Sequence, residues 1–522
     1  MLGYIFKDSI VQPTTTKVIS GNELNTLMED ENFKESWDSL YASCPWATIF
    51  QDRKFIFSWY KANQTSTTPL VILSYENSIL KGVLPLVIDK PYFKESSSQQ
   101  VKINGAGKYD AEYQAWLCSE EFNYDFIHNA LTTLFTHYPN AKLSLRFIPR
   151  VDLACAIVEN PEWKKYTVMQ KHHRPLMDFK LTEETKLFRK RHLKAKYNRI
   201  CRAGKLEFIK VSDINEFKEI LDEILVNLDF RQAAMFNKMP SKNNPNRSEM
   251  LISLFERDIL HVTALKLDGE TISSIIGMKG SGWMHLAGLI SYSSFHSKYS
   301  PGLVHLFLLG QMLQEEGYEY FDLTPGYDAY KERVSTSSDE VVELNISKVT
   351  QYGFKKYVRK KFHKVLLNYN IRPMTFDLKV DKFAYLVKGK SLGFVQSLLP
   401  AKKQIPQGIS NPEEAGLKVN RNKIKDLMKY DSSNTLLTRW EFLENAFGLI
   451  SKGEYFYSFT DDKDLLAVVW FQSVTNDNGD ETGEIKISDS YIHPSIKKYE
   501  KSFMDYVQKE NPQNSTQKNG SH

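Results

Sequence analysis

Cysteine is scarce: Cys44, Cys118, Cys155 and Cys201 are the only four in 522 residues. Their spacing matches neither a metal-ligand set nor a disulfide framework, which predicts four buried packing thiols in a reducing compartment and no metal centre. No apolar run approaches the roughly 18 to 20 residues that a membrane span needs. The start of the chain, Met1 to Asp8, meets a charge too early for a signal peptide, so a cytoplasmic location is expected. No Walker loop, catalytic-serine elbow or zinc spacing occurs. A net charge of +5 is small for this length and does not by itself suggest a nucleic-acid binder.

With 42% apolar and 25% charged residues the composition is that of a folded globular protein, and the length is too great for one ordinary core. One pattern recurs. A helical stretch leads to a strand, a polar turn and a second strand at Thr68 to Ile88, again at Leu260 to Met278 around Asp268-Gly269-Glu270, and again at Tyr455 to Phe471 around Asp461-Asp462-Lys463-Asp464. Repeats of this length mean duplicated domains rather than a solenoid. Only the middle copy is expected to continue through a further strand, a helix and a last strand. The expected divisions are a degenerate first domain at 1–170, a catalytic domain at 171–395, a polar linker at 396–418, a partial third copy at 419–508 and a disordered tail at 509–522.

The most informative stretch is Tyr299-Ser300-Pro301-Gly302, an apolar run to Glu316-Gly317, then Tyr320-Phe321-Asp322-Leu323-Thr324-Pro325-Gly326-Tyr327-Asp328-Ala329-Tyr330-Lys331. Pro and Gly open a helix whose first amides, at the positive end of the dipole, can receive a phosphate, and a strand then delivers polar residues to a loop. This run resembles the BioF-type or cellulose-biosynthesis-type acetyltransferase branch of the GNAT superfamily, itself similar in fold to Fem-type aminoacyl transferases. His173 to Phe179, the basic stretch from Lys186 to Lys205 and Asp268-Gly269-Glu270 follow the family's order. The resemblance covers roughly the middle 200 residues and implies an α/β (α+β) protein of tandem GNAT-like domains, with mixed central sheets flanked by helices. It departs from the usual GNAT phosphate loop in having fewer glycines before the helix, which allows fewer close backbone approaches to a pyrophosphate.

Acyl transfer to an amine needs a base, a polarised carbonyl and a proton for the leaving thiolate. His285, mid-strand, is a candidate base, with a hydrogen-bonded core residue as the competing role. Asp322 ends a buried strand, where a carboxylate is costly unless it works or pairs; Lys331 and Arg333 are its expected structural partners otherwise. By the resemblance Tyr330 becomes a proton donor and Lys331 a phosphate or substrate contact. Ser300, Pro301 and Gly302 would meet the pyrophosphate of acetyl-CoA or another acyl-CoA, and Arg174, Arg191 and Gly326 would meet substrate.

Two basic helices, Lys186 to Lys205 and Lys355 to Lys364, suggest an anionic partner. Phe354, Val358, Phe362 and Val365 are expected to form the buried stripe of the second. The implied activity is acyl-CoA-dependent N-acylation of an amine such as an amino sugar or lipid-linked precursor in envelope or exopolysaccharide synthesis. Two alternatives remain. One is a Fem-type transferase using aminoacyl-tRNA, whose usual long helical hairpin has no heptad signal here; the other is a binding protein of degenerate GNAT copies.

Overall fold

One mixed sheet of thirteen strands runs from residue 15 to residue 346 and joins the first two copies of the sequence pattern. The structure is a computed structural model that describes residues 14–90, 100–397, 418–432, 435–461, 463–475, 481–493, 496 and 500–509. The expected linker and tail lie almost wholly outside the described residues.

The first copy comprises β1 (Thr15–Ser20), α1 (Gly21–Glu29), α2 (Glu31–Ser43), α3 (Arg53–Asn63), β2 (Thr67–Glu76), β3 (Ile79–Asp89), β4 (Lys102–Gly105), β5 (Leu117–Cys118), α4 (Asn123–His137), β6 (Lys142–Ile148) and α5 (Val151–Val158). Then β7 (Thr167–Asp178) crosses to the second copy, formed by α6 (Arg191–Cys201), β8 (Leu206–Val211), α7 (Ile214–Phe236), α8 (Arg247–Glu256), β9 (Leu260–Leu267), β10 (Glu270–Lys279), β11 (Trp283–Tyr292), α9 (Pro301–Glu315), β12 (Tyr320–Asp322), α10 (Ala329–Val334) and β13 (Ser337–Ile346). A helical hairpin follows, α11 (Thr350–Asn368) and α12 (Pro373–Ser397). The remainder is β14 (Lys418–Arg421), α13 (Ile424–Leu427), α14 (Arg439–Ser451), β15 (Tyr455–Thr460), β16 (Leu465–Thr475), β17 (Glu481–Ile492) and α15 (Glu500–Lys509), with a separate four-stranded antiparallel sheet ordered β14-β15-β16-β17.

The large sheet is ordered β1-β2-β3-β4-β6-β13-β7-β12-β11-β10-β9-β8, with β5 alongside β3. Its pairs are antiparallel except for β4 with β6 and β11 with β12. Each parallel pair requires a crossover, and each is joined by a helix, α4 in one copy and α9 in the other. The first copy therefore does continue through strand, helix and strand, contrary to expectation. Its β4 is only four residues long and lies in a polar, glycine-rich stretch, so the period-2 signal was too short to read.

The polar hairpin turns and helix starts follow local chemistry. Asp268 and Gly269 both adopt positive φ in the β9–β10 turn. The Asp213 side chain accepts from Asn215 and Glu216 amides to begin α7, and Thr438 with Glu441 forms a capping box on α14. The strands flanking these turns are apolar on both faces because helices cover both sides. One core cluster holds Ile72 and Leu84 of the first copy together with Val262, Ile276 and Val342. The third unit docks on α7 through Phe230, Ala233, Phe442 and Leu443, and Trp440 Nε1 donates to the Ala234 carbonyl at 3.0 Å.

Several local expectations are corrected. Lys186 to Lys205 is not one helix: Lys186 takes φ 50°, a 3-10 turn covers Leu187–Arg189, and only α6 is regular. Cys44 and Cys118 are buried, but Cys155 is half-buried and Cys201 exposed. Phe354, Val358, Phe362 and Val365 face outward, while α11 buries His363 and Leu366 against the sheet. Sequence periodicity marks an apolar stripe but does not say which surface it meets.

His305, in the apolar middle of α9, is fully buried with Nε2 2.8 Å from Thr263 Oγ1. Burial disfavours its imidazolium, with the nearby His261 adding to the effect, and holds its pKa down at about 3. The unfolded chain protonates this ring near its ordinary value of 6.5, so between that pH and about 3 the unfolded state binds the extra proton. Stability is therefore lost as pH falls through that window, at up to about 1.4 kcal/mol per pH unit. Denaturant unfolding of His305→Gln between pH 6.5 and 4.5 should show a slope shallower by about one proton; parallel slopes would show that His305 does not control it.

Candidate functional site

β11 and β12 pair over only three residues, Trp283↔Tyr320, Met284↔Phe321 and His285↔Asp322. Beyond His285 the two strands part. β11 continues to Tyr292 through a wide bulge in which Leu286, Ala287 and Gly288 stand opposite Gly277 alone. Ala287 and Gly288 both have positive φ, at 52° and 69°, and Gly288 is exposed with open space where a Cβ would sit. Beyond His285 this edge of β11 has no strand partner among the described residues, and with the crossover helix beside it offers a groove along which an extended ligand can lie.

At the closed end of the groove is a buried polar network. Asp322, wholly buried, accepts hydrogen bonds from the Tyr113 hydroxyl, from His285 Nδ1 at 3.0 Å and from the Thr324 amide at 2.8 Å. Arg174 lies 3.8 Å from the same carboxylate and makes a two-pronged pair with Asp339, its guanidinium between the rings of Tyr113 and Trp283. Burial alone would raise the Asp322 carboxyl; the His285 hydrogen bond, the Arg174 charge and the Tyr113 hydroxyl outweigh it and hold the pKa below the usual range. Asp322 is thus an anion at neutral pH. A carboxylate only accepts, so His285 carries its proton on Nδ1 and keeps Nε2 as its basic nitrogen. Phe50, Tyr113 and Trp283 pack around the imidazole.

Lys331, on the buried face of α10, points its ammonium at Thr324, 2.9 Å from the carbonyl and 2.7 Å from the hydroxyl, and lies 3.5 Å from Asp328. Burial pushes its pKa down against the pull of Asp328, Glu112 and Asp322. Gly326, at φ 140°, donates its amide to the His173 carbonyl at 2.9 Å and fixes this loop to β7. Tyr330 is largely buried, and burial, with Asp328 adding, keeps its phenol protonated by raising its pKa. It shares its surroundings with Arg231 and Tyr292. Arg231 donates to the Ile290 carbonyl at 2.7 Å and lies over the Tyr292 ring. A Cβ on Gly302 would lie 3.5 Å from that ring, which links the start of α9 to the Tyr330 end of the groove.

The start of α9 is built as a turn. Ser300 takes φ 57°, Pro301 opens the helix, and Ser300 Oγ accepts from Lys196 Nζ of α6 at 2.8 Å. Arg199 and Lys298 lie against the Tyr299 ring. Two helices therefore bring cations to one helix N-terminus. Gly310 lets α9 sit close on the sheet, since a Cβ there would come 2.8 Å from Met177 Sδ.

The structure thus brings His285, Asp322, Tyr330, Lys331 and Gly326 to one region, with Arg174 buried beside Asp322 and Ser300, Pro301 and Gly302 at the nearby helix start. Arg191 lies apart, exposed at the start of α6. Asp322 pairs with Tyr113, His285 and Arg174, and its carboxylate touches neither Lys331 nor Arg333, the partners expected for it. Sequence reasoning missed Tyr113, Glu112 and Arg231, while Lys196 lies in the Lys186 to Lys205 stretch expected to meet an anionic partner. Glu112 is buried, paired with Arg146 at 3.2 Å, and raised in pKa by that burial. Tyr113 and Glu112 come from the first copy, in a polar connection without periodicity between β4 and β5, so no local signal aimed them here. No group of residues among those described could hold a metal ion.

Residues 188–332 match the family described as the acetyltransferase (GNAT) domain. No curated protein sequence matches the chain. Among solved structures the chain is similar to FemX, at 11% identity over 62% of this chain and 98% of that one, with a TM-score of 0.44. It is also similar to a tandem GNAT protein of the clavulanic acid biosynthesis pathway, at 9% identity over 64% of this chain and 98% of that one, TM-score 0.37. A third is L-PGS from Bacillus licheniformis, at 11% identity over 63% of this chain and 95% of that one, TM-score 0.39. The groove, the crossover helix and the polar strand end all fall within or against residues 188–332, the stretch that matches the acetyltransferase (GNAT) domain.

Proposed function

We propose that the protein is an N-acyltransferase of the BioF-type or cellulose-biosynthesis-type branch, moving an acyl group from acyl-CoA to an amine. The observation that carries the reading is the parting of β11 and β12 beside the His285–Asp322 pair. The groove suits an extended pantetheine arm, and the start of α9 with Lys196 suits its pyrophosphate. The thioester supplies an activated carbonyl. In the transfer a C–N bond forms and the C–S bond breaks. His285 Nε2, oriented by Asp322, takes the ammonium proton, and the Tyr330 hydroxyl gives its proton to the departing sulfur. Arg174 and Tyr113 position Asp322. An amino sugar or lipid-linked envelope precursor is the acceptor class we favour.

Thermal unfolding of the purified protein with acetyl-CoA, longer acyl-CoAs and CoA alone tests the donor: saturating ligand at a hundred times Kd stabilises by about 2.7 kcal/mol. No shift with any CoA species overturns the reading. Lys196→Gln with Arg199→Gln should weaken CoA binding roughly tenfold or more, and more so at low salt, by titration calorimetry. Equal affinity at all salt concentrations would remove both cations from the donor site.

A second reading has one observation in its favour. The α11–α12 hairpin is a helical arm that no heptad pattern announced, and its first helix is strongly basic. Aminoacyl-tRNA would then be the donor, and a shift with charged tRNA but no CoA would select it.

A further inference from the structure

The outward face of the α11–α12 hairpin is the largest feature that the proposed chemistry leaves unused. Exposed apolar residues on α11 include Phe354, Tyr357, Val358, Phe362 and Val365, with Tyr369 just past its end, and those on α12 include Phe376, Val380, Phe383 and Val387. They recur at three- and four-residue intervals, so each helix presents a continuous stripe. Phe362 meets Phe376 edge to face at 5.0 Å and joins the stripes. Between the helices lies an open groove of about 530 Å³ floored by Phe354, Val358, Phe362, Phe376 and Val380 and edged by Lys355, Arg359, Asp377 and Asp381. Phe354 is 67% exposed and Phe383 71% exposed, far outside the habit of a core stripe. Exposed apolar surface of this extent marks an interaction site.

Charge identifies the occupant. From 350 to 368 the sequence contains Lys355, Lys356, Arg359, Lys360, Lys361 and Lys364 and no acid. Lys356 turns inward to Glu343 and Arg359 pairs with Asp377. Lys355, Lys361 and Lys364 are exposed and flank or interrupt the apolar stripe. Nucleic acid would account for the lysines but would leave Val358, Val365, Val380 and Val387 in water. A bilayer surface rich in anionic headgroups accounts for both, because aromatic and aliphatic side chains enter the headgroup boundary while lysines meet the phosphates. No helix among the described residues is long and apolar enough to cross a membrane, so the hairpin lies on the surface rather than spanning it.

We infer that the outward face of α11 and α12 docks the protein on an anionic membrane surface. The turn between the helices is fixed to the candidate site, with Arg372 Nη1 3.3 Å from Asp328 Oδ1, so the docked hairpin holds the loop of residues 325–331 near the bilayer.

Flotation of the full chain with vesicles tests it. The protein should float with phosphatidylethanolamine vesicles containing phosphatidylglycerol and not with phosphatidylcholine alone, and added salt should weaken the association. Lys355→Gln, Lys361→Gln and Lys364→Gln together should reduce flotation at least tenfold, each lysine near a charged surface being worth about 1 kcal/mol. Phe354→Ser, Val358→Ser and Phe383→Ser together should reduce it as much, with thermal unfolding unchanged because the side chains are exposed. Absence of flotation, or flotation that neither triple variant affects, overturns the proposal. So do two other results without vesicle binding: self-association, seen by light scattering and abolished by the apolar triple, which would assign the face to a second copy, and binding of bulk tRNA lost in the lysine triple, which would assign it to nucleic acid.

Discussion

Asp322→Asn should lower acyl transfer on the order of a hundredfold or more while the protein remains folded. The amide keeps the shape of the carboxylate, so the Tyr113 hydroxyl still finds an acceptor. It cannot hold His285 as the carboxylate does, because a neutral amide neither fixes the Nδ1–H tautomer nor stabilises the imidazolium that forms when Nε2 takes a proton. Arg174 loses one of two anionic neighbours and keeps Asp339. The variant should therefore unfold at a somewhat lower denaturant concentration, since removing one member of a buried charge pair commonly costs a few kcal/mol. If its hydroxyl is the proton donor proposed above, Tyr330→Phe should produce a drop of comparable size without that loss of stability. Tyr113→Phe, acting through Asp322 alone, should cost less than either. Wild-type turnover by Asp322→Asn on an identified amine and acyl-CoA pair would end its part in the reaction. Loss of donor binding with turnover unchanged at saturation would recast it as a binding group.

A fragment of residues 188–332, the stretch that matches the GNAT domain, should show no cooperative unfolding transition, whereas residues 14–397 should. Inside the fragment β12 is three residues long, and its partner on one side, β7, is missing. Met177 of β7 belongs to the same cluster as Phe307, Leu309 and Phe321, so the apolar floor beneath α9 would be opened to water. Burying a side chain of this size is worth roughly 1.5 to 3 kcal/mol, and several would be lost together, which is most of the net stability of a small domain. Tyr113 and Arg174 would also be absent, leaving Asp322 with His285 and the Thr324 amide. Circular dichroism during a urea titration distinguishes the outcomes, and a sharp transition in the short fragment would show that the second copy folds alone.

The sequence displayed the second copy better than the first, for reasons visible in particular residues. β9 and β10 are eight and ten residues long around Asp268-Gly269, so their signal is strong. In β12 the polar Asp322 at the end of an apolar run announced itself by its cost, and His285 stood out mid-strand in the same way. Their pairing was not legible, because they stand 37 positions apart and the intervening chain includes a helix whose crossing places both at one register position. Tyr113 is 209 residues from Asp322 and carries no motif. The outward stripe of α11 has the periodicity of a buried one, and only the packing of His363 and Leu366 decides its orientation. Contacts made across the sheet leave no trace in local pattern, and the candidate site is made mostly of such contacts.

The position of β13 sets the order of events during synthesis. It is the last strand of the large sheet to leave the ribosome, yet it lies at the centre, between β6 and β7. Until residue 346 emerges, the first copy ends in the unpaired edge of β6 and the second in the unpaired edge of β7. Two exposed edges on one nascent chain are open to pairing with other chains. Final closure also joins segments just over 200 residues apart, Asn345 with Ser144 and Ile346 with Leu143, so it is a slow, high-contact-order step. Completion of the sheet is then the moment at which the two copies become one body, and production of this protein should depend more on chaperone capacity and elongation rate than its ordinary composition suggests.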